Sequence, residues 1–203
     1  MPKKGVDKKM MRAKIAKNAI ELFIKYGFDH MTVDDVAYKS KIPKGSVYSF
    51  FESKDDILFA IIENEQEFYD EEIRLKIQNS KTLEEKILSL FDLCVSQTTI
   101  NQNRQKIYQE FVCLVLNNKN LKMVKFLKNI QQKYLKWLEQ IFEDAIKDGQ
   151  IKQHGVLFAK GLFAMAESVL LFSAIENYNA KDILQNNIEN LLKLLRIDDE
   201  NSY

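Results

Sequence analysis

The 203-residue sequence contains only two prolines and six glycines. Because these residues interrupt helices and form tight turns, their scarcity favours a mostly helical chain. With 46% hydrophobic residues, the chain is long enough for one small domain and one larger core. The composition therefore predicts an all-α fold.

Cysteine is also scarce, with only Cys94 and Cys113, which fall within apolar helical patterns. Their spacing fits neither a metal site nor a disulfide framework, so we expect two buried, reduced thiols and no metal or cofactor. Catalytic signatures such as a glycine-rich phosphate loop, HExxH or a nucleophile elbow do not occur. The sequence thus predicts a protein that is not an enzyme. A helical enzyme is a lesser alternative, and a polar cluster deep in the core would be its sign.

The chain is poor in long hydrophobic runs, and its N-terminus has no apolar core for a signal peptide. One stretch, 157–175, is rich in Leu, Phe and Ala, but Lys160 and Glu167 interrupt it. Each ionised group would cost about 2.5–3.5 kcal/mol at a bilayer centre. We expect a cytoplasmic protein with no membrane segment.

The formal net charge of +1 conceals an asymmetry along the chain. Residues 1–54 carry 12 Lys/Arg against 6 Asp/Glu, a net of +6, and residues 55–203 carry 18 against 23, a net of −5. A cationic segment is what contact with DNA requires, because each neutralised phosphate releases condensed counterions.

The stretch from Thr32 to Lys54 predicts two short helices joined by a tight turn, with a third helix starting afterwards. Thr32 and Asp35 have the spacing of a capping box, in which a hydroxyl and a carboxylate satisfy backbone N–H groups. Three residues supply the apolar side of the second helix: Ile42, Val47 and Phe51. Such a pair of helices is typical of a probe for the DNA major groove.

The opposite face of the second helix carries the residues that can meet DNA: Lys44, Gly45, Ser46, Tyr48 and Ser49. By position, we expect all of these except Tyr48 to read bases, since lysine donates to guanine and serine pairs with more than one base. Gly45 has two open explanations: it allows close approach of the backbone to DNA, or it lies in the first turn, where glycine costs little. Thr32 can cap with its hydroxyl and bind phosphate with its backbone N–H.

Over roughly residues 10 to 62, the sequence resembles the DNA-binding domain of the tetracycline-repressor (TetR) family. The resemblance rests on AIELFIKYGF, then TVDDVA, then KGSVYSFFESKDDIL. It implies an N-terminal three-helix helix-turn-helix domain followed by a C-terminal helical domain for ligand binding and dimerisation. It also implies that Tyr48 and Lys54 contact DNA phosphates, which position a protein without reading sequence.

Two residues depart from the family pattern: Lys41 stands where glycine is common, and Pro43 where a Ser or Thr cap is usual. A left-handed turn residue other than glycine adds strain, and proline lacks a side-chain acceptor worth about 1 kcal/mol. A basic leader precedes the first helix: Lys3, Lys4, Lys8 and Lys9. It has two open interpretations, a flexible arm in the minor groove or a solvated tail.

Apolar residues at helical spacing predict more helices at about 54–76, from residue 82, and at 103–116, 121–147, 156–177 and 182–196. The last two are apolar over a wider face than one neighbour needs. We predict that they pair with their symmetry mates in a four-helix homodimer interface. The alternative is a central helix inside a monomer core.

The family resemblance implies a cavity for a small apolar ligand in the C-terminal part. We expect it to be lined by some of seven residues: Phe91, Tyr108, Glu110, Phe111, Trp137, Met165 and Glu167. The two glutamates lie in the most apolar helices, so either can orient a ligand. The alternative is that each faces solvent or a dimer partner.

We therefore predict a helix-turn-helix DNA-binding domain over residues 1–54 and a helical ligand-binding and dimerisation domain over residues 55–203. Together they are expected to act as a transcriptional regulator, most simply a repressor released from a pseudo-palindromic double-stranded operator by a small apolar ligand. The alternative is a DNA-binding protein of the same fold that a protein partner controls without a small-molecule inducer.

Overall fold

The computed structural model describes residues 4–118, 120–175 and 178–197, with the side chains of residues 4–7 and 118 left aside. The described chain is helical almost throughout, and one isolated bridge joins Ile151 to Arg196. The predicted all-α class is confirmed. In chain order the helices are α1 (Lys4–His30), α2 (Val33–Ser40), α3 (Lys44–Val47), α4 (Lys54–Asn79), α5 (Leu83–Leu90), α6 (Asp92–Val95), α7 (Thr99–Asn118), α8 (Leu121–Lys147), a 3-10 helix (Gln153–Phe158), α9 (Ala159–Phe172) and α10 (Ala180–Leu195).

Several helix ends lie where local chemistry predicts them. Helix α8 has the predicted bounds and is followed by Gly149, whose φ of 69° suits glycine. A glycine at position 27 predicts the end of the first helix; Gly27 has φ 74° and interrupts α1, but one further turn follows it. Local signals of this kind are strong because they satisfy backbone groups that a helix end leaves without partners.

Two helices that the sequence predicts as continuous are interrupted in the structure. The helix expected from residue 82 breaks at Phe91 (φ −95°, ψ 25°), which separates α5 from α6. The helix expected from residue 156 begins instead as the 3-10 segment, and its predicted end at residue 177 lies outside the described residues. At Gly155 the backbone approaches Ile151 so closely that an added Cβ would lie 2.9 Å from Ile151 Cδ1. Packing against Ile151 therefore accompanies the departure from a regular α-helix.

The chain divides into two compact units, each of which is described by itself. The first unit consists of Met1–Asp70 and Lys106–Met123. In it α2 packs on α1, and α3 packs on α2. The rings of Phe59 and Phe111 stack with centroids 5.8 Å apart, and both side chains are almost fully buried. Burying side chains of this size contributes about 1.5–3 kcal/mol each, so they are the main apolar support of this unit.

The second unit consists of Glu71–Gln105 and Val124–Tyr203, and in it α10 packs against α5, α6 and α9. Four residues at helical spacing bury one face of α10: Leu184, Ile188, Leu192 and Leu195. Helical spacing in the sequence predicts Leu191 as a further member of this set. Leu191 is only half-buried, because Leu192 lies on the side that faces the neighbouring helices.

The functional boundary predicted at residue 54 stays a prediction, since it concerns which residues act on DNA rather than which residues pack together. The thiol prediction is confirmed for Cys94 and wrong for Cys113, which is exposed. Four of the residues around Cys113 in α7 are buried: Phe111, Val112, Leu114 and Val115. Cys113 therefore points away from the buried face of its helix.

Among the described residues, one stretch, Gln153–Phe172, is long and apolar enough to cross a membrane by length and composition alone. Its most apolar window has a mean hydropathy of 1.7. The core helix of a soluble protein passes the same test, and this stretch contains Lys160 and Glu167. A single helix of this kind does not indicate a membrane protein.

Candidate nucleic-acid interface

Helix α2 begins with a complete capping box, as the sequence predicts. The hydroxyl of Thr32 accepts the Asp35 N–H at 3.1 Å, and the Asp35 carboxylate accepts the Thr32 N–H at 3.0 Å. The hydrogen bonds from Thr32 hold the pKa of Asp35 below its usual value. Because Asp35 already accepts the Thr32 N–H, a DNA phosphate at this position has to compete with the capping box.

The turn between α2 and α3 has the strained form expected from its sequence. Lys41 is left-handed (φ 56°, ψ 43°), and its N–H donates to Tyr38 O while the Ile42 N–H donates to Ala37 O. These bonds close the end of α2 without glycine, at a steric cost that its Cβ introduces. Pro43 precedes α3 and makes no side-chain cap, which confirms the second departure.

Helix α3 is shorter than a usual recognition helix. It spans only Lys44–Val47, after which Ser49 N–H and Phe50 N–H donate to the carbonyls of Ser46 and Val47 in tight turns. Val47 and Phe51 are buried and fix this segment to the unit. The predicted DNA-facing residues emerge on the other side: Lys44, Gly45, Tyr48 and Ser49 are exposed, and Ser46 is half-buried.

The first of these residues, Lys44, is held by a carboxylate. Its Nζ lies 2.8 Å from Asp34 Oδ2, and both side chains are more than half exposed. The hydrogen bond that Lys44 donates to Asp34 raises the pKa of Lys44. Exposed pairs of this kind contribute little to stability, so the pair can open when a stronger acceptor arrives.

Gly45 lies in the first turn of α3, where glycine costs little, and this position is compatible with both explanations for its presence. An added Cβ at Gly45 would have no atom within 4 Å. The fold itself therefore leaves room for a larger residue at this position. Tyr48 is 53% exposed, which leaves its hydroxyl open to a phosphate.

Lys54 has a structural contact that the sequence did not indicate. Its amine donates to Phe28 O at 2.8 Å and to Asp29 O at 3.2 Å, and it lies 4.4 Å from the centroid of the Phe28 ring. A lysine amine has three donors, so two are taken by the end of α1 and one remains for a phosphate.

The ion pair between Arg12 and Asp56 holds the recognition segment from behind. The Arg12 guanidinium donates to both carboxylate oxygens of Asp56 and to Phe50 O, and it lies 4.4 Å from the centroid of the Phe51 ring. The Asp56 carboxylate also accepts the Glu52 N–H at 3.2 Å. A bidentate contact of this kind fixes geometry as well as charge.

The same contacts set the titration of both partners. Burial acts to raise the pKa of Asp56, but the hydrogen bonds from Arg12 and the Glu52 N–H outweigh it, so this pKa lies below its usual value. The hydrogen bond with Asp56 raises the pKa of Arg12. The spacing of Ser53 and Asp56 predicts a capping box, and Ser53 Oγ does accept the Asp56 N–H, but this spacing does not indicate the contact of Asp56 with Arg12. The signal for that contact is a lone arginine one turn before the buried face of α1.

The seven candidate ligand residues do not fall in one unit. Three belong to the first unit: Tyr108, Glu110 and Phe111. The other four belong to the second: Phe91, Trp137, Met165 and Glu167. Phe111 is fully buried against Phe59. Burial raises the pKa of Glu110, and Asp29 adds to the rise while Lys54 opposes it. Glu110 is therefore placed near Asp29 and Lys54 of the first unit.

In the second unit, Glu167 contacts a polar residue of α8, and Phe91 contacts an aromatic residue of α9. The Glu167 carboxylate accepts a hydrogen bond from Gln131 Nε2 at 3.4 Å, and the rings of Phe91 and Phe163 have centroids 6.3 Å apart. Burial, with Glu167 and Asp92 adding to it, raises the pKa of the Cys94 thiol well above its usual value. Trp137 has cationic neighbours, since Arg74 and Lys133 lie 4.9 and 5.9 Å from its ring centroid. Within the described residues, no group of three or more His, Cys, Asp or Glu side chains is arranged to hold a metal.

Comparison with known proteins places the helix-turn-helix in a family. Residues 15–61 match the family model described as bacterial regulatory proteins, tetR family. The fatty acid metabolism regulator protein of Bacillus subtilis is 24% identical over 66% of this chain and 68% of its own length. The biofilm operon icaADBC HTH-type negative transcriptional regulator IcaR of Staphylococcus epidermidis is 39% identical over 27% of this chain and 29% of its own.

A solved structure resembles nearly the whole chain. It is the transcriptional regulator FadR from Bacillus subtilis in complex with stearoyl-CoA, with a TM-score of 0.61, 24% identity, and coverage of 88% of this chain and 96% of that one. Residues 15–61 are thus a DNA-binding domain of the TetR family, and similarity to a transcriptional regulator extends over two thirds of the chain. The chain carries a helix-turn-helix for DNA binding, and the relatives that it matches are transcriptional regulators.

Proposed function

We propose that this TetR-family protein is a dimeric repressor that binds a pseudo-palindromic double-stranded operator in the cytoplasm and is released by a small, largely apolar ligand. The observation that carries the DNA-binding role is the exposed face of the α3 segment. Lys44, Tyr48 and Ser49 are exposed on this face, while Val47 is buried behind it. Polar and cationic side chains on a helix fixed by its apolar side are what a major-groove reader needs.

The residues of this face divide into two kinds of contact. We assign the base edges to Lys44, Gly45, Ser46 and Ser49, and the phosphates to Thr32, Tyr48 and Lys54. A lysine such as Lys44 suits guanine O6 or N7, and serine suits several bases. Gly45 has no protein atom near its missing Cβ, which supports close approach of the backbone to DNA.

The dimer is proposed to form through α9 and α10. Apolar side chains of these helices and the residues beside them remain exposed in the single chain: Leu157, Phe158, Leu171, Phe172, Ile175, Leu194 and Ile197. Leu157 is 77% exposed and Leu194 74%. Exposed side chains of this size on two neighbouring helices favour burial against a second copy in a two-fold interface.

The ligand is proposed to bind among the aromatic and apolar residues of the helical domain. Phe91, Trp137, Met165 and Glu167 are the candidate contacts in the second unit, and Tyr108, Glu110 and Phe111 are separate candidates within the first. The relatives named above support a ligand with an acyl chain, since one regulates fatty acid metabolism and another contains stearoyl-CoA. The repressor assignment is supported by the negative regulator IcaR.

Helix α4 is proposed to carry the signal. It runs uninterrupted from Lys54 to Asn79, so its residues belong to both units. A continuous helix transmits a displacement that a flexible linker would absorb. A coupling of about 1–3 kcal/mol between ligand and DNA would lower operator affinity by about 5- to 150-fold.

The second candidate is a TetR-type DNA-binding protein that a protein partner controls. It is favoured by Phe111, which fills the core of the first unit by stacking on Phe59 instead of lining a space. This alternative predicts no thermal shift with any member of a metabolite panel. The ligand hypothesis predicts a rise in melting temperature with a long-chain acyl-CoA.

The test is selection of bound DNA from a random pool, with and without long-chain acyl-CoA. We expect a two-fold symmetric sequence that is lost when the acyl-CoA is present. Lys44→Ala should change the selected bases, whereas Tyr48→Phe should weaken binding to all sequences alike. A pool that never enriches would contradict DNA binding. Enrichment that no acyl-CoA alters would contradict this ligand class.

A further inference from the structure

The first unit contains a cleft beside the recognition segment. Its volume is about 750 Å³. It is lined by Lys8, Lys9 and Arg12 of α1, and by Tyr48, Ser49 and the residues that lead into α4. Asn120, Lys122 and Met123 line it as well. The cleft therefore brings two lysines of α1 next to the proposed phosphate ligand Tyr48.

The contacts of Arg12 fix the orientation of the α1 residues that line the cleft. Lys8 and Lys9 precede Arg12 by four and three residues, so all three share one face of α1. Arg12 is bound to Phe50 O and to Asp56, and this face of the helix thus lies against the recognition segment. Lys8 and Lys9 extend from it one turn nearer the start of α1.

The two lysines are helical and open to solvent. Both lie within α1 and are exposed, which is inconsistent with a flexible arm or an unstructured tail at these two positions. Among the described residues, neither amine is paired with a carboxylate. Lys122 differs, because its Nζ lies 3.6 Å from Glu63 and 4.6 Å from the centroid of the Phe59 ring.

We propose that Lys8 and Lys9 bind the DNA backbone, on phosphates adjacent to the one assigned to Tyr48. This inference rests on the proposed function and adds Lys8 and Lys9 of α1 to the residues that contact DNA phosphates. The chemistry is a pair of ammonium groups that contact phosphodiester anions next to the one bound by the Tyr48 hydroxyl. Such contacts strengthen binding to every sequence and carry no base information.

Acidic residues limit where the phosphate can lie. Glu52 and Asp55 also line the cleft and would repel a phosphate near them. Asp56 lines it too, but its carboxylate is engaged by Arg12. The phosphate therefore lies at the Lys8, Lys9 and Tyr48 end of the cleft.

The experiment compares two double variants of the same helix. Lys8→Gln with Lys9→Gln removes the proposed contacts, and Lys14→Gln with Lys17→Gln removes the same charge from exposed positions that do not line the cleft. Binding to a random-sequence duplex is measured by fluorescence anisotropy over a range of salt concentrations. Circular dichroism establishes that each variant is folded.

We expect the first variant to lose about 0.9 of salt slope for each lost contact, or about 1.8 for each head that binds, and roughly tenfold or more in affinity at 0.1 M salt. The control variant should keep most of the wild-type slope. Equal losses in the two variants would overturn the proposal and indicate general attraction by charge. A wild-type protein that ignores the duplex at low salt would instead contradict the proposed function itself.

A competition experiment with inorganic phosphate tests whether the cleft binds the DNA backbone or a small anion. Inorganic phosphate is added at constant ionic strength, with chloride as the reference. We expect phosphate to compete with the duplex no better than chloride does. If phosphate displaces the duplex selectively, and does so only when Lys8 and Lys9 are present, the cleft is a small-anion site and the proposal fails.

Discussion

The two compact units differ in the side chains that they expose at their proposed DNA-binding and dimerisation surfaces. Beside α3 the first unit presents cations and hydroxyls, from Lys44, Tyr48 and Ser49, whereas α9 and α10 of the second unit present Phe172 and Leu194. The first kind of surface suits a polyanion, and the second suits another apolar surface. The difference teaches that DNA recognition depends on particular side chains in a short motif. The proposed self-association depends on a general apolar character that many sequences satisfy.

The largest effect is expected from Phe172→Glu in α9. A charge at this exposed apolar position should convert the dimer into monomers, since it would be buried without a partner in the interface. Loss of the linked second head should then lower operator affinity by about 100-fold or more. Sedimentation measures the oligomeric state. Phe68→Glu is the matched control, because Phe68 is also exposed but lies on α4, and a dimer that persists in Phe172→Glu would contradict the assigned interface.

Phe111→Ala tests whether this residue belongs to the core or to a ligand site. Phe111 is fully buried against Phe59, so its truncation should destabilise the protein by about 3–5 kcal/mol. Chemical denaturation measures the change. Phe68→Ala, at an exposed phenylalanine of the same unit, should change stability by less than about 0.5 kcal/mol. A stable Phe111→Ala protein that has lost its thermal shift with acyl-CoA would make Phe111 a ligand contact instead.

Arg12→Met tests the support behind the recognition segment. It leaves Asp56 partly buried without its cation, and should cost about 1–3 kcal/mol at pH 7. The folded pKa of Asp56 lies below its usual value, so its stabilising contribution is present above the unfolded pKa of about 3.9 and is lost as pH falls through the folded pKa.

The advantage of wild type over Arg12→Met should therefore shrink as the pH falls below about 4. Denaturation curves at a series of pH values provide the measurement. An advantage that does not change between pH 7 and pH 3 would mean that the Arg12–Asp56 ion pair is not its source.

The smallest effect on the fold is expected from Gly45→Ala. An added Cβ meets no protein atom, so stability should be unchanged or rise by up to about 1 kcal/mol. Operator affinity should nevertheless fall several-fold if the backbone approaches DNA here. Melting temperature and operator affinity are measured on the same preparation. Unchanged operator affinity would show that Gly45 is present only because the first turn tolerates it.

The extent to which each region could be predicted follows from the range of the interactions involved. Thr32 with Asp35, the left-handed Lys41 and the end of α8 at Gly149 are decided by neighbours within a few residues. Such signals are visible in sequence. The break at Phe91 and the exposure of Cys113 depend on which helices pack against α5 and α7, so periodicity alone did not find them.

The same distinction applies to the candidate site. The exposed face of Lys44, Tyr48 and Ser49 follows from the position of buried Val47 one turn away. The contacts of Arg12 with Asp56 and of Lys54 with Phe28 join residues 44 and 26 positions apart. No local pattern specifies such partners, and the fold has to be formed before they meet.

The central claim is that two copies of this chain bind one duplex through their two helix-turn-helix domains. Hydroxyl-radical footprinting of the DNA selected from the random pool tests it most directly. The account predicts two equivalent protected regions, related by two-fold symmetry, whose centres are about 34–36 Å apart on one face of the duplex. A single protected region without symmetry would contradict it.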